Sequence, residues 1–147
     1  MTKILVDADG CPVVDLTIAL AARHQLPVVL LCDTAHNMQR PGAETITVSK
    51  GADAVDFVLV NRVQRGDIVV TQDYGLAAMV LAKRGVPIDQ NGRVYSEENI
   101  DQLLFGRHVA KKIRQGGGRM KGPKKRKPED NEKFEENLLQ LIQAIEN

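Results

Sequence analysis

The chain has 147 residues, of which 43% are hydrophobic and 27% charged, as expected for one soluble globular domain. Five aromatic residues and no Trp argue against a stacking platform for single-stranded bases, and two isolated cysteines exclude a zinc cluster and a disulfide framework. The net charge of +1 argues against a polyanionic partner, yet residues 1–105 carry −4, residues 106–128 carry +10 and residues 129–147 carry −5.

Aliphatic runs alternate along the chain with segments of helical period, which predicts an α/β fold with a mainly parallel sheet. The predicted elements, in chain order, are strand 3–6, helix 11–25, strand 27–32, strand 45–48, helix 52–63, strand 67–71, helix 74–84 and strand 86–88. Ser96 is a predicted N-cap, and the helix after it should reach Gln115, where three glycines end it.

The last segment is amphipathic, because its apolar side chains recur at helical spacing: Phe134, Leu138, Leu141, Ile142 and Ile145. This helix either docks onto the domain, which we favour, or pairs with another copy to form a homo-oligomer. We divide the chain into an α/β domain over residues 1–115, a basic loop over 116–128 and a C-terminal helix over 129–147. Neither a signal peptide nor a membrane-spanning stretch is evident, which predicts a cytoplasmic protein without a membrane partner.

Acidic residues stand where several predicted elements begin or end. Asp7 and Asp9 follow the first strand, Asp73 follows the fourth, and Asp53 and Asp56 lie in the first turns of the second helix. The carboxyl ends of strands in an open α/β sheet line the ligand crevice, so these acids should meet at one edge. Clustered carboxylates repel one another unless a proton or cation compensates, and their oxygens suit Mg²⁺ or Mn²⁺. The pattern therefore predicts a metal site suited to phosphodiester hydrolysis.

Each acid also has a structural interpretation. A lone Asp after a strand is often a cap or turn residue, so Asp7 or Asp9 could cap the first helix. Asp53 alone is typical of a first-turn acid that favours the helix dipole. For Asp7, Asp56 and Asp73 together we favour the functional interpretation, because three distant segments bring them to one edge of the sheet.

Four strings of the sequence resemble a known family of bacterial proteins. They are VDADGCPV at residues 6–13, KGADAVD at 50–56, GDIVVTQDYGLA at 66–77 and GGRMKGP at 117–123. In this order, and over nearly the whole chain, they resemble the YaiI/YqxD family, which is placed among the PIN-like nucleases. The string at 50–56 and the Thr-x-Asp after the fourth strand are also similar to the NYN branch of PIN-like ribonucleases.

The resemblance implies a three-layer α/β/α PIN-like domain and a Mg²⁺- or Mn²⁺-dependent nuclease that cuts RNA rather than DNA. Asp7 would be the first metal ligand, Asp53 or Asp56 the helix ligand and Asp73 the ligand after the fourth strand, with Asp9 as a further ligand. Asp7, Asp56 and Asp73 would be the catalytic acids. The second-helix Glu of typical PIN sites is missing unless Asp53 serves, so a catalytically degenerate nucleic-acid-binding module is the alternative.

A lower-ranked alternative is a phosphatase of the haloacid dehalogenase type, because Asp7-Ala8-Asp9-Gly10 resembles its nucleophile loop. The motif of that family continues with Thr where this chain has Cys11. It also requires a Lys and a paired acidic motif further on, and no clear equivalents stand in the sequence.

Residues 106–128 form a basic block, which contains the side chains that we expect to contact the phosphates of nucleic acid. Such contacts discriminate little between bases. The side chains are those of Arg107, Lys111, Arg114, Arg119, Lys121, Lys124, Lys125, Arg126 and Lys127. The first three are spaced i, i+4 and i+7, so they form one ridge if the helix extends that far. The alternative is a solvated stretch, or an internal partner for the acidic tail.

Overall fold

The centre of the fold is a parallel β-sheet. The computed structural model describes residues 2–33, 38–49, 54–118 and 125–146. Within these ranges the strands are β1 (Ile4–Asp7), β2 (Val28–Asp33), β3 (Glu44–Val48), β4 (Ile68–Val70) and β5 (Val86–Ile88). All neighbours pair in parallel, in the order β3-β2-β1-β4-β5. The chain moves outward from β1 to β3 and then returns to the other side of β1, so the switch point of the sheet lies between β1 and β4.

Helices cover both faces of this sheet. In the described part of the chain they are α1 (Val14–Arg23), α2 (Ala54–Arg62), α3 (Tyr74–Ala82), α4 (Glu97–Gln115) and α5 (Pro128–Glu146). Helices α1 and α5 pack on one face, α2 and α3 pack on the other, and α4 packs against α3. The predicted α/β class, the parallel sheet and the three-layer α/β/α arrangement are confirmed.

The inner strands are apolar on both sides because both faces are covered. In β1, Ile4 and Val6 belong to the core between the sheet and α1, whereas Leu5 belongs to the core beneath α2 and α3. None of these three side chains is exposed. An aliphatic run of this kind is buried along its length, so the polar residues that follow it lie at the edge of the sheet.

The C-terminal helix docks onto the domain, as we favoured. Its Phe134, Leu138 and Ile142 are fully buried in the core on the α1 side of the sheet. Asn137 Nδ2 donates a hydrogen bond to the carbonyl oxygen of Gly92 (2.7 Å), which has a φ of +92° and lies against the backbone of α5. Within the described ranges, no helix has the length and hydropathy needed to cross a membrane. The domain boundaries at residues 115 and 128 stay predictions.

The first helix begins three residues later than predicted. Gly10 has a φ of +71°, and the backbone N of Cys11 donates to the carbonyl oxygen of Ala8 (3.1 Å), so the chain turns before α1 begins. The N-cap of α1 is Val13, which makes no side-chain cap hydrogen bond, so the interpretation of Asp7 or Asp9 as the cap is wrong. The predicted start of the second helix, at residue 52, lies outside the described residues.

The fourth helix begins where the sequence predicts. Ser96 Oγ accepts a hydrogen bond from the backbone N of Asn99 (3.2 Å), and Asn99 Oδ1 accepts one from the backbone N of Ser96 (2.9 Å). This capping box satisfies two backbone donors at the start of α4. The helix ends at Gln115, as predicted, and Arg107, near its middle, lies at the carboxyl end of the sheet.

Candidate active site at the carboxyl end of the sheet

Two acidic residues lie close together at the switch point between β1 and β4. Asp7 ends β1, and the pairing of Val6 with Val70 places Thr71, the first residue after β4, beside it. Thr71 Oγ1 donates a hydrogen bond to Asp7 Oδ2 (2.9 Å) and accepts one from the backbone N of Asp73 (3.0 Å). Thr71 is only 2% exposed, so a buried hydroxyl joins the two acidic positions.

Asp73 directly precedes helix α3, and its side chain also lines a cavity at the carboxyl end of the sheet. Its Oδ1 accepts a hydrogen bond from the backbone N of Leu76 (3.2 Å), so Asp73 is the N-cap of α3, a role that the sequence did not assign to it. The guanidinium of Arg107 lies 3.7 Å from the same oxygen. Because Arg107 is 62% and Asp73 37% exposed, this ion pair adds little stability. The cap fixes the position of Asp73 while its carboxylate stays accessible to a ligand.

Asp9 ties the loop after β1 to the end of β2. Its Oδ2 accepts a hydrogen bond from the backbone N of Asp33 (3.0 Å). Asp9 also lines a narrow cavity of about 40 Å³ together with Asp7, Cys11 and Thr71. Burial raises the pKa of the Cys11 thiol above its ordinary value, so this thiol is protonated at neutral pH and unsuited to act as a nucleophile.

Asp7 is the acid whose ionisation the fold disfavours. Burial raises the pKa of Asp7 above its ordinary value of 3.8. The hydrogen bond from Thr71 works in the opposite direction, because it stabilises the charged carboxylate. The negative charges of Asp73 and Asp9 raise the pKa further. A proton or a cation at this end of the sheet would therefore relieve an unfavourable concentration of charge.

Two larger cavities meet at Asp73 and Arg107, which line both. The first, of about 400 Å³, also has Asp7 in its wall, and the second, of about 280 Å³, has Asp56. The structure thus brings four of the predicted acids to the carboxyl end of the sheet: Asp7, Asp9, Asp56 and Asp73. Asp53 lies outside the described residues, and the roles of all five as metal ligands stay predictions.

The donor set fits a hydrated Mg²⁺ or Mn²⁺ better than an ion enclosed by protein ligands. Among the described residues, no three His, Cys, Asp or Glu side chains are grouped closely enough to hold a metal ion. Mg²⁺ usually keeps several waters and binds one or two carboxylates together with the phosphates of a substrate. Asp7 and Asp73 offer two such carboxylates; burial is the main cause of the raised pKa of Asp7, and the negative charge of Asp73 adds to it.

Comparison with known proteins places the chain among bacterial relatives. A family model described as "Uncharacterized BCR, YaiI/YqxD family" matches residues 5–144. The chain belongs to the YaiI/YqxD family. This membership confirms the resemblance that the four sequence strings indicated.

Relatives of this YaiI/YqxD chain are similar over almost their entire length. A UPF0178 protein of Exiguobacterium sibiricum is 59% identical over 140 residues, which is 95% of this chain and 96% of the relative. A UPF0178 protein of Ruminiclostridium cellulolyticum is 51% identical over 140 residues, which is 95% of this chain and 92% of the relative. One from Clostridium acetobutylicum is 49% identical over 142 residues, which is 95% of this chain and 96% of the relative. No solved structure matches the chain.

The basic block of this YaiI/YqxD chain is largely exposed where the structure describes it. Arg107 lies at the two larger cavities, and the other exposed members are Lys111, Arg114, Lys125 and Lys127. The remaining predicted members lie outside the described residues: Arg119, Lys121 and Lys124. Contact of the block with phosphate stays a prediction.

Arg126 has a structural role that the charge pattern did not indicate. Its Nη2 donates to the carbonyl oxygen of Gln90 (2.8 Å) and its Nε donates to Asn91 Oδ1 (3.2 Å). Its Nη1 donates to Asn131 Oδ1 on α5. The half-buried guanidinium therefore fastens the start of α5 to the loop after β5.

Sequence reasoning gave no role to two residues that shape the site. Thr71 joins Asp7 to Asp73, and the available signal was a hydroxyl directly after an aliphatic strand and two residues before an acid. Phe57 lines the cavity next to Asp56 and is 66% exposed. Its signal was weaker, because an apolar residue in a helix is usually assigned to the core.

Proposed function

We propose that this protein is a metal-dependent nuclease that hydrolyses phosphodiester bonds, in RNA rather than DNA, at the carboxyl end of its sheet. The observation that carries the proposal is the pair Asp7 and Asp73, which neighbouring strand ends bring together and the Thr71 hydroxyl joins. Like charges placed together at the switch point of a parallel sheet are typical of a cation-binding site. The assignment to PIN-like nucleases and the preference for RNA rest on the sequence resemblance.

The carboxylates would have different roles in coordinating the ion. Asp7 and Asp73 would bind Mg²⁺ or Mn²⁺ directly, and Asp9 and Asp56 would contact it directly or through water. Asp53 is the alternative to Asp56 as the ligand from the second helix. When bound, the ion supplies a nucleophilic water and neutralises charge on the phosphate.

The remaining residues orient the acids and the substrate. Thr71 holds Asp7 through its hydroxyl, and the cap bond to Leu76 holds Asp73. Arg107 lies beside Asp73 with an exposed guanidinium, and it would contact the phosphate that is attacked. Lys111 and Arg114 follow it at i+4 and i+7 on α4, so phosphates further along the strand would contact the same ridge.

A nucleic-acid-binding module without catalysis is the second candidate. It is favoured by the observation that, in the part of the chain the structure describes, no three potential ligands are grouped for metal binding. This candidate predicts salt-dependent binding of RNA through the basic block but no cleavage.

Titration calorimetry with Mn²⁺ tests the metal site. We expect the wild-type protein to bind Mn²⁺ and both Asp7→Asn and Asp73→Asn to abolish this binding. Asp15→Asn is the matched control, because Asp15 is an exposed acid on α1 that pairs with Arg40 away from the site. Cleavage of single-stranded RNA in Mn²⁺ should follow the same pattern.

Two results would separate the candidates. If Mn²⁺ binding is unchanged in both Asp7→Asn and Asp73→Asn, the shared metal site does not exist and the nuclease proposal fails. If Mn²⁺ and RNA bind but the RNA stays intact, the module without catalysis is the correct function.

A further inference from the structure

The cavity between α2 and α3 has an apolar interior directly beside the candidate metal site. Leu76, which is fully buried, lies at its floor, while Phe57 and Met79 are 66% and 39% exposed at its walls. Its polar side is formed by Asp56, Asp73 and Arg107, and the last two also line the cavity that contains Asp7. We infer that this cavity binds one unpaired nucleobase of the RNA, that of the nucleotide next to the bond that is cut. The inference rests on the proposed nuclease function and names how that site holds its substrate.

The local sequence keeps this cavity open. Phe57 lies on the first turns of α2 next to Asp56, at the same end of the sheet as the start of α3. Gly75, in the first turn of α3, also lines the cavity, and a Cβ added there would come within 3.3 Å of Asp73 Oδ1. Gly is less favourable than Ala in a helix. Its presence in α3 therefore fits a position where a side chain would crowd the mouth of the site.

The size of the cavity favours a single ring system. Its volume of about 280 Å³ lies just below the range of about 300–1,000 Å³ that is usual for sites of drug-sized ligands. A cavity of this volume is too small for the apolar face of a partner helix. An exposed aromatic side chain provides a surface on which any of the four bases can stack. The low aromatic content excludes a platform for several bases, but one subsite needs only one ring.

The charges at the cavity connect the base to the phosphate. Arg107 lies at both cavities, so a phosphate bound to its guanidinium would place one sugar and base towards Phe57 and the reacting bond towards Asp7. A ligand with an apolar ring and an adjacent anionic group matches this arrangement, and a nucleotide has both parts. The cavity should therefore favour single-stranded RNA, since a base in a duplex is not available for stacking against Phe57.

The chain offers a matched control for Phe57. Phe105 lies on α4, is 68% exposed and does not line this cavity. The two residues are the same amino acid, with nearly equal exposure, on the surface of a helix. Any effect specific to Phe57 therefore reports on its place beside Asp73 and not on the loss of a surface phenyl ring.

Fluorescence anisotropy tests the subsite with two probes, a short labelled poly(A) RNA and the same ribose-phosphate backbone without bases. Ca²⁺ replaces Mn²⁺ so that the RNA stays intact. We expect Phe57→Ala to weaken binding of poly(A) by about 5- to 150-fold, the range measured for loss of one stacked base. Binding of the abasic probe should be unchanged in Phe57→Ala, and Phe105→Ala should leave binding of both probes unchanged. Phe57→Trp should restore the affinity for poly(A).

Mn²⁺ calorimetry and sedimentation of the same variants complete the test. Unchanged Mn²⁺ binding in Phe57→Ala, together with weakened poly(A) binding, supports a base subsite separate from the ions. If Phe57→Ala binds poly(A) like the wild type while Asp73→Asn loses Mn²⁺, the subsite is overturned and the metal site stands. If the wild type binds no Mn²⁺, the nuclease function itself fails. If Phe57→Ala changes only the oligomeric state, the surface joins two copies of the chain and the subsite is overturned.

Discussion

Acidic residues at the two ends of the sheet have opposite electrostatic surroundings. Asp67, at the amino end of β4, is 1% exposed and accepts hydrogen bonds from Lys3 Nζ (2.7 Å), Lys3 N (3.2 Å) and Gln64 N (2.8 Å). At the carboxyl end of β1, Asp7 accepts its hydrogen bond from the neutral Thr71 hydroxyl. A buried carboxylate destabilises a fold strongly when its matched cation is removed, and one that is placed among like charges costs stability as it stands.

Two arginines in the described part of the chain lie near the carboxyl end, and neither forms a close ion pair with Asp7. Arg126 is engaged by carbonyl and amide oxygens of the loop after β5 and of α5. Arg107 approaches Asp73 only to 3.7 Å and is largely exposed. Among the described residues, Asp7 therefore has no cation as close as Lys3 is to Asp67, and this difference distinguishes the candidate-site end of the sheet from its amino end.

Removal of the cation at the amino end should have the largest effect on stability. Lys3→Met keeps most of the aliphatic stem but leaves Asp67 buried without its charged partner. We expect the free energy of unfolding to fall by about 3 kcal/mol, as for other broken buried pairs. Urea denaturation measures this loss, and Lys112→Met, at an exposed position on α4, is the control. A change below about 0.5 kcal/mol would mean that the two backbone donors alone satisfy Asp67.

Removal of the charge of Asp7 at the carboxyl end should instead increase the free energy of unfolding. Asp7→Asn keeps an oxygen that can accept the Thr71 hydrogen bond but removes the buried charge and its repulsion from Asp73 and Asp9. We expect the variant to be more stable than the wild type at neutral pH in EDTA, by about 0.5–2 kcal/mol. A less stable variant would show that the hydrogen bond to the ionised carboxylate outweighs the cost of burying it.

The pH dependence of the stability difference between Asp7→Asn and the wild type provides a second measurement. The raised pKa of Asp7 means that the folded chain keeps a proton that the unfolded chain releases above its ordinary pKa of 3.8. The contribution of Asp7 to the stability of the wild type should therefore fall as the pH rises from 3.8 to the folded pKa, and this loss should be complete above it. Asp7→Asn lacks the group, so its advantage should grow through this window and then stay constant. Urea midpoints of both proteins across the acidic range measure the effect.

Strand positions could be predicted because they depend on local pattern. Each strand is a short aliphatic run, and the boundaries of all five described strands differ from prediction by at most one residue. The start of α1 could not be placed as well, because the turn after Gly10 depends on a backbone hydrogen bond between Cys11 and Ala8. Pro12 suggested a first helical turn, but it lies in that turn instead.

The acids of the candidate site could be predicted for the same local reason, since a residue that follows a buried strand lies at the sheet edge. The pairing of Asp67 with Lys3 spans 64 residues, and no local pattern indicates it. The exposure of Phe57 depends on the gap between α2 and α3, and the partners of Arg126 come from a loop and a helix that only the packed fold brings together. Such tertiary placements lie beyond what spacing and composition reveal.

Substitution of Arg107 should have the smallest effect on stability and the most selective effect on RNA binding. Because its pair with Asp73 is long and exposed, Arg107→Ala should change the free energy of unfolding by less than about 0.5 kcal/mol, in contrast to Lys3→Met. The same substitution should weaken RNA binding and reduce the slope of log affinity against log salt concentration by about 1, because one phosphate contact is lost. Arg65→Ala, at an exposed position just before β4 at the amino end, should alter neither quantity. An unchanged slope in Arg107→Ala would place the phosphate path away from α4, whereas a large loss of stability would mean that its ion pair with Asp73 resembles that of Lys3 with Asp67.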